Sequence, residues 1–240
     1  MSSFCVNFPV YFLLKESGIN LPILYSFRRC PYAIRTRYVL AFLGVKVELR
    51  EVVLKDKPDE LLSLGGRSTV PQLIDNGVRF EESLDIIFWA IEKSQKSTPE
   101  HDALAEQLWP NDEDVQAVIK EWIDENDNEF KGWLDKYKYS DRFPEYTETF
   151  YREKGEVFLE KLECRLKESS FLLGDQITLL DIAIFPFVRQ FSGVNMSWFE
   201  GSRYLNLRRW LSMFIESELF KTVMEKYPKW ESGQEKTRFP

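Results

Sequence analysis

A cysteine followed by a proline, placed where a short apolar run gives way to a helical pattern, constrains this chain more than any other feature. Ile23-Leu24-Tyr25-Ser26-Phe27, bounded by Pro22 and by Arg28-Arg29, reads as a buried strand, and Cys30-Pro31-Tyr32-Ala33 opens the segment after it. Proline suits the first helical position, because the N–H it lacks would find no helical partner there. Cys30 is therefore expected at a helix N-terminus. Free N–H groups and the positive end of the helix dipole stabilise a thiolate at such a place, and Arg28 and Arg29 add positive charge. The plain alternative is one more buried, inert cysteine. The strand-to-helix position weighs against it.

The segments that follow extend the pattern. Residues Ala33 to Leu43 are helical in composition and end at Gly44, as a C-capping glycine would. Val45, Val47, Leu49, Glu51 and Val53 then alternate with Lys46, Glu48, Arg50 and Val52, giving a second strand with one mostly apolar face. A strand–helix–strand order favours two parallel strands joined by a right-handed crossover. After a polar, helix-prone stretch at Pro58 to Leu64, Pro71-Gln72-Leu73-Ile74 and Val78-Arg79-Phe80 flank Asp75-Asn76-Gly77, the signal of a tight hairpin. A third helix opens near Glu82-Ser83 with Leu84, Ile87, Phe88 and Ile91 at helical spacing. This β-α-β-α-β-β-α order matches a thioredoxin-like α/β domain with a mixed four-stranded sheet, expected over residues 21–94 behind an N-terminal extension at 1–20.

Residues 95–114 are polar, carry Pro99 and Pro110 and show no sustained period, so they are expected as a linker. Beyond them no strand is expected, and residues 115–240 read as an all-α helical bundle. Val115, Val118, Ile119, Trp122, Ile123, Phe130, Trp133, Leu134 and Tyr137 mark one long helix; Val157, Phe158, Leu162 and Leu166 mark another, in which Cys164 is expected as a packing residue. Thr178-Leu179-Leu180-Asp181 has the form of a capping box, with Ile177 and Ile182 as its hydrophobic staple. The helix it opens, Leu179 to Phe191, is apolar nearly all round and is expected at the centre of the bundle. Tyr204, Leu207, Trp210, Leu211 and Phe214 form a further helix around it. The aromatic stripes read as core, with part of them free to wall a pocket; Trp122, Glu125, Phe185 and Phe187 are the candidates.

Charge and cysteine usage narrow the function classes. Residues 1–94 hold 12 Lys and Arg against 11 Asp and Glu, whereas the rest of the chain holds 20 against 28. The first part is better suited to a small anion, and the overall charge of −7 argues against nucleic acid as a partner. Three cysteines and one histidine give neither a Cys-x-x-Cys pair nor metal-ligand spacing, so no metal is expected, and a reducing, cytoplasmic setting is. The longest apolar run, Ile182 to Val188, has seven residues against the roughly 18 that a membrane span needs, so no membrane partner is expected. The apolar N-terminus has no basic residue before Lys15 and carries Asn7 and Pro9 within its run, which argues against a secretory leader. Cys5 has no physical account at this level.

Taken together, the motifs resemble those of the glutathione transferases, and most closely their cysteine (omega-like) class, over about residues 21–230. Cys30-Pro31-Tyr32-Ala33 resembles the C-P-F-A of that class and Leu54-Lys55-Asp56-Lys57-Pro58 its L-K-N-K-P. Val70-Pro71 resembles the V-P that carries a cis proline, Glu82-Ser83 the pair that opens the third helix, and Thr178 to Asp181 the capping box of the helical domain. The resemblance implies that Cys30 faces the sulfur of glutathione, with Tyr32 beside it in the binding set. Val70 would pair its backbone with the cysteinyl part of the tripeptide, across a cis bond supplied by Pro71. Glu82 and Ser83 would meet the γ-glutamyl ammonium and carboxylate, and Lys57 the glycine carboxylate. The plain alternatives are a turn proline at Pro71, ordinary N-capping at Glu82 and Ser83, and a solvated surface lysine at Lys57.

Ala33 stands where a C-P-Y-C glutaredoxin has its second cysteine, so thiol chemistry at this site is expected to be monothiol. The first expected activity is glutathione-dependent thiol transfer at Cys30: deglutathionylation, disulfide reduction and, by resemblance only, dehydroascorbate reduction. Conjugation of glutathione to an electrophile is the alternative within the family. A transferase fold used only for interaction is the alternative outside enzymology, and the set of binding residues speaks against it. The resemblance also implies a homodimer.

Overall fold

The computed structural model describes residues 21–240. The extension at 1–20, with Cys5 and the leader-like run, lies outside the described residues. Strand β1 (Ile23–Ser26) leads through helix α1 (Pro31–Phe42) to β2 (Val47–Glu51), which runs parallel to β1. The short helix α2 (Asp59–Ser63) then leads to β3 (Gln72–Asp75) and β4 (Val78–Phe80), an antiparallel hairpin on the other side of β1, and α3 (Ser83–Gln95) follows. Gly44, at φ +65°, takes the left-handed position that closes α1. Asn76 and Gly77, at φ +49° and +81°, form the hairpin turn that the Asn-Gly pair predicts.

The sheet is thioredoxin-like and mixed, but it has five strands, in the order β4-β3-β1-β2-β5. The fifth, β5 (Arg238–Phe239), comes from the far end of the chain and lies antiparallel to β2, with Phe239 opposite Val47. Two residues are too few to show an alternation in sequence.

Eight helices, α4 (Pro99–Leu108), α5 (Glu113–Glu125), α6 (Lys131–Lys138), α7 (Glu148–Arg165), α8 (Leu179–Ser192), α9 (Met196–Glu200), α10 (Leu205–Glu216) and α11 (Glu218–Val223), follow α3. The region expected as a linker therefore contains a helix. Pro99 occupies the first position of α4, the Thr98 hydroxyl accepts the His101 N–H at 3.3 Å, and Ala105 and Leu108 are fully buried. So narrow an apolar face gives no sustained period, which is why the sequence hides it. The long helix expected from Val115 to Tyr137 is α5 and α6 joined by one π-helical turn, Asn126–Phe130.

One continuous core joins the sheet to the bundle, with α1 packed on both α3 and α8. Every residue of α8 from Leu179 to Val188 is buried. Phe185 stacks flat on Phe214, with ring centroids 4.4 Å apart. The capping box forms, and the Asp181 carboxylate takes four hydrogen bonds, from the N–H groups of Leu172 and Thr178, the Thr178 hydroxyl and the Trp210 indole. In α7 the buried stripe is Tyr151, Phe158, Leu159 and Leu162. Val157 is exposed, and so is Cys164, which is not a packing residue. Its neighbour Glu163 is buried instead, because its carboxylate accepts the Leu207 N–H at 2.8 Å at the start of α10. No helix of the described residues is long and apolar enough to cross a membrane.

Candidate functional site

Cys30 is the N-cap of α1, with extended backbone (φ −77°, ψ 124°) and Pro31 at the first helical position. Its side chain is partly exposed, and its thiol donates to the Val70 carbonyl at 3.7 Å. The cis bond expected between Val70 and Pro71 is present. Both residues are buried, Val70 in a small cluster with Tyr25, Val52 and Leu61 at the end of the sheet.

The electrostatics at the thiol differ from the sequence expectation. Burial pushes the Cys30 thiol up from the ordinary cysteine value. The N–H groups of Ala33 and Tyr32, and then the charges of Lys131 and Arg35, pull in the opposite direction without offsetting burial. The cations that act on Cys30 are not the two before it. Arg28 donates its backbone N–H to Glu51 and its guanidinium to the Met224 carbonyl, and Arg29 lies over the Phe27 ring. Lys131 opens α6 and was not legible as a site residue, because nothing local in sequence ties it to Cys30.

Arg35, one turn into α1, organises the neighbouring wall. Only 2% exposed, it donates Nε and Nη2 to the Ser83 hydroxyl at 3.0 and 2.8 Å and grips both oxygens of Asp127 at 3.0 and 2.8 Å. Its guanidinium also lies 4.9 Å from the centroid of the Tyr32 ring, which meets Phe187 edge to face. The structure thus brings Cys30, Tyr32, Val70, Pro71 and Ser83 to one region around the start of α1. Glu82 is the exposed N-cap of α3, directly before Ser83. Lys57 is half-buried in the segment between β2 and α2, and no hydrogen bond or ion pair links it to the others.

This construction, a thiol at a strand-to-helix turn facing a Val-cis-Pro segment and packed on a helical bundle, has direct counterparts. Residues 24–98 match the model of the glutathione S-transferase N-terminal domain and residues 120–212 that of its C-terminal domain. The chain belongs to the glutathione S-transferase family. A probable glutathione S-transferase, MSR-1, of Nicotiana plumbaginifolia is 28% identical over 72% of this chain and 74% of its own. Glutathione S-transferase D7 of Drosophila melanogaster is 26% identical over 88% of each. Among solved structures, glutathione transferase Omega 3C of Trametes versicolor superimposes with a TM-score of 0.70 at 18% identity, over 90% of this chain and 88% of that one.

Within this transferase the four candidate pocket residues divide. Phe185 and Phe187 are fully buried, and only Phe187 reaches the site, through Tyr32. Trp122 and Glu125 face α7, where they meet Phe158, Arg165 and Lys161. Asp127 and Arg35 escaped the sequence reading, since their pairing spans 92 residues.

Proposed function

We propose that this transferase binds glutathione and carries out monothiol transfer at Cys30, in the manner of the cysteine, omega-like class. The observation that carries the reading is the Cys30 thiol at the helix N-terminus, 3.7 Å from the Val70 carbonyl. That carbonyl belongs to the segment along which the cysteinyl backbone of the tripeptide would lie. Tyr32 flanks the thiol, Glu82 and Ser83 take the γ-glutamyl ammonium and carboxylate at the start of α3, and Lys57 takes the glycine carboxylate as a point charge.

In this reaction the Cys30 thiolate attacks the glutathione sulfur of a mixed disulfide. The substrate leaves as a thiolate and takes a proton from water, while Cys30 and glutathione remain joined by the new S–S bond. A second glutathione thiolate attacks the bound glutathione sulfur, which yields oxidised glutathione and restores Cys30. The incoming second glutathione is the net reductant, since the first enters as half of the mixed disulfide and leaves as half of oxidised glutathione. Protein or small-molecule disulfides are the partner class, the setting is the reducing cytoplasm, and the assembly is a twofold homodimer. Replacing Cys30 with Ala abolishes turnover of a glutathione mixed disulfide; turnover at the wild-type level would sink the reading.

One observation favours conjugation as a second reading. Burial raises the Cys30 thiol, and a thiol that holds its proton more tightly can donate its S–H to a glutathione thiolate, as the hydroxyl of a serine or tyrosine transferase does. Cys30→Ser separates the two: conjugation gained with transfer lost assigns the native site to transfer, while a wild-type enzyme that conjugates and forms no mixed disulfide assigns it to conjugation.

A further inference from the structure

Beyond Val223 the chain has no helix, yet it follows a fixed course back over the sheet. Of residues 224–240 only Trp230 and Phe239 are buried. Phe239 is held opposite Val47 in β5, under the Arg37 guanidinium. The Trp230 N–H donates to the Glu51 carbonyl at 2.9 Å, at the end of β2. Its ring is covered by Arg50 at 4.1 Å and meets the Tyr25 ring edge to face at 6.1 Å. Arg50 in turn donates to the Tyr25 hydroxyl at 2.7 Å.

The same tail touches both sides of Lys57. Lys229 pairs with Asp56, the residue before Lys57, and the Ser232 hydroxyl holds the Glu60 carboxyl below the usual carboxylate range, in the first turn of α2. Tyr25, against which Trp230 stands, packs in one cluster with Leu61 of α2 and with Val70. The five-residue run from Asp56 to Glu60, which carries Lys57, is thus tied at both ends by Lys229 and Ser232, with Trp230 behind it through Tyr25 and Leu61.

We infer that the C-terminal tail is a strap that positions the Lys57 side of the ligand groove, with Trp230 as its positioning residue. The inference rests on the glutathione reading, since the strap touches neither Cys30 nor the start of α3. It acts on the arm expected to meet the glycine end of the tripeptide and leaves the thiol alone.

The test compares wild type with Trp230→Ala and with the double variant Lys229→Ala/Ser232→Ala, which removes two surface contacts and leaves the buried Trp230 in place. Amide hydrogen exchange without ligand is expected to speed up by at least about tenfold over residues 53–61 in Trp230→Ala and to a lesser degree in the double variant. Calorimetric Kd and KM for glutathione are expected to rise by at least about fivefold in Trp230→Ala, with kcat and the alkylation rate of Cys30 within about twofold of wild type. Unchanged exchange overturns the strap, and so does faster exchange with an unchanged Kd. Failure of the wild-type chain to bind glutathione overturns the reading beneath it and is distinguishable, because the exchange comparison is made without ligand.

Discussion

Arg35 donates two hydrogen bonds to the Ser83 hydroxyl, joining the helix that begins at Cys30 to the helix that opens the expected γ-glutamyl subsite. The remaining edge of its guanidinium closes on Asp127, in the π-helical turn of the bundle. Three elements meet on one buried cation. Removing one partner of such a group leaves the others uncompensated, and Arg35→Ala is expected to cost about 3–5 kcal/mol of stability by urea unfolding. Arg35→Lys keeps the charge but not the fork, so it recovers only part of that loss. If glutathione binds as proposed, KM rises in both variants. A melting curve for Arg35→Ala coincident with wild type would refute the role given to this pair.

The thiol gives a pH signature of defined sign. Cys30 is raised above the ordinary cysteine value by burial, so its alkylation by iodoacetamide, followed on the peptide that carries it, climbs through a midpoint above that of a free cysteine in an unfolded reference peptide. The folded state then holds this proton more tightly than the unfolded chain does. The resulting stability is present below the ordinary cysteine range and is lost as pH rises through the folded value. Lys131 lowers the thiol, so Lys131→Ala moves the midpoint further up and slows alkylation at neutral pH a few-fold. A midpoint at or below that of the unfolded reference peptide would contradict the balance described for this site.

Asp181 satisfies donors that have no other outlet. The Leu172 N–H, the Thr178 N–H and the Trp210 indole N–H converge on its two oxygens at 2.9 to 3.0 Å, and all three residues are buried. Asp181→Ala orphans them together. Each stranded donor costs about 1–3 kcal/mol, so a loss of at least about 3 kcal/mol is expected, enough to endanger folding at 37 °C. Asp181→Asn keeps an acceptor and loses less. Equal losses in the two variants, measured by denaturant unfolding, would show that charge rather than acceptor geometry matters here.

What could be read from the sequence was local. The strand-to-helix turn at Cys30, the Asn76-Gly77 hairpin and the Thr178 capping box each lie within a few residues, and each formed as the spacing requires. What stayed hidden depends on partners far along the chain. Arg35 and Arg37 look like the solvent face of α1, yet both are buried because Ser83 and Asp127 wait for the first, and Ser26 and Glu51 for the second. The fifth strand is invisible for the same reason: Phe239 is an exposed tail residue until β2 is there to receive it. The thiol expectation failed on a matter of balance, since a helix N-terminus is visible in sequence and the depth at which it is buried is not.

Two glycines separate helix propensity from packing. Gly155 lies inside α7, where alanine would gain about 1 kcal/mol from propensity alone. A Cβ there would stand 2.5 Å from the Phe191 ring, however, and that ring is fully buried between Phe130 and Tyr137. It has no room to yield. Overpacking of this kind costs about 1–3 kcal/mol, which outweighs the propensity gain, so Gly155→Ala is expected to be destabilising on balance. Gly132, exposed in α6 with nothing within 4 Å of a Cβ, lacks the opposing effect. Gly132→Ala is therefore expected to stabilise, by about 0.5–1 kcal/mol. Thermal unfolding of the two variants side by side checks both signs, and a stabilised Gly155→Ala would mean that Phe191 is not fixed as its neighbours imply.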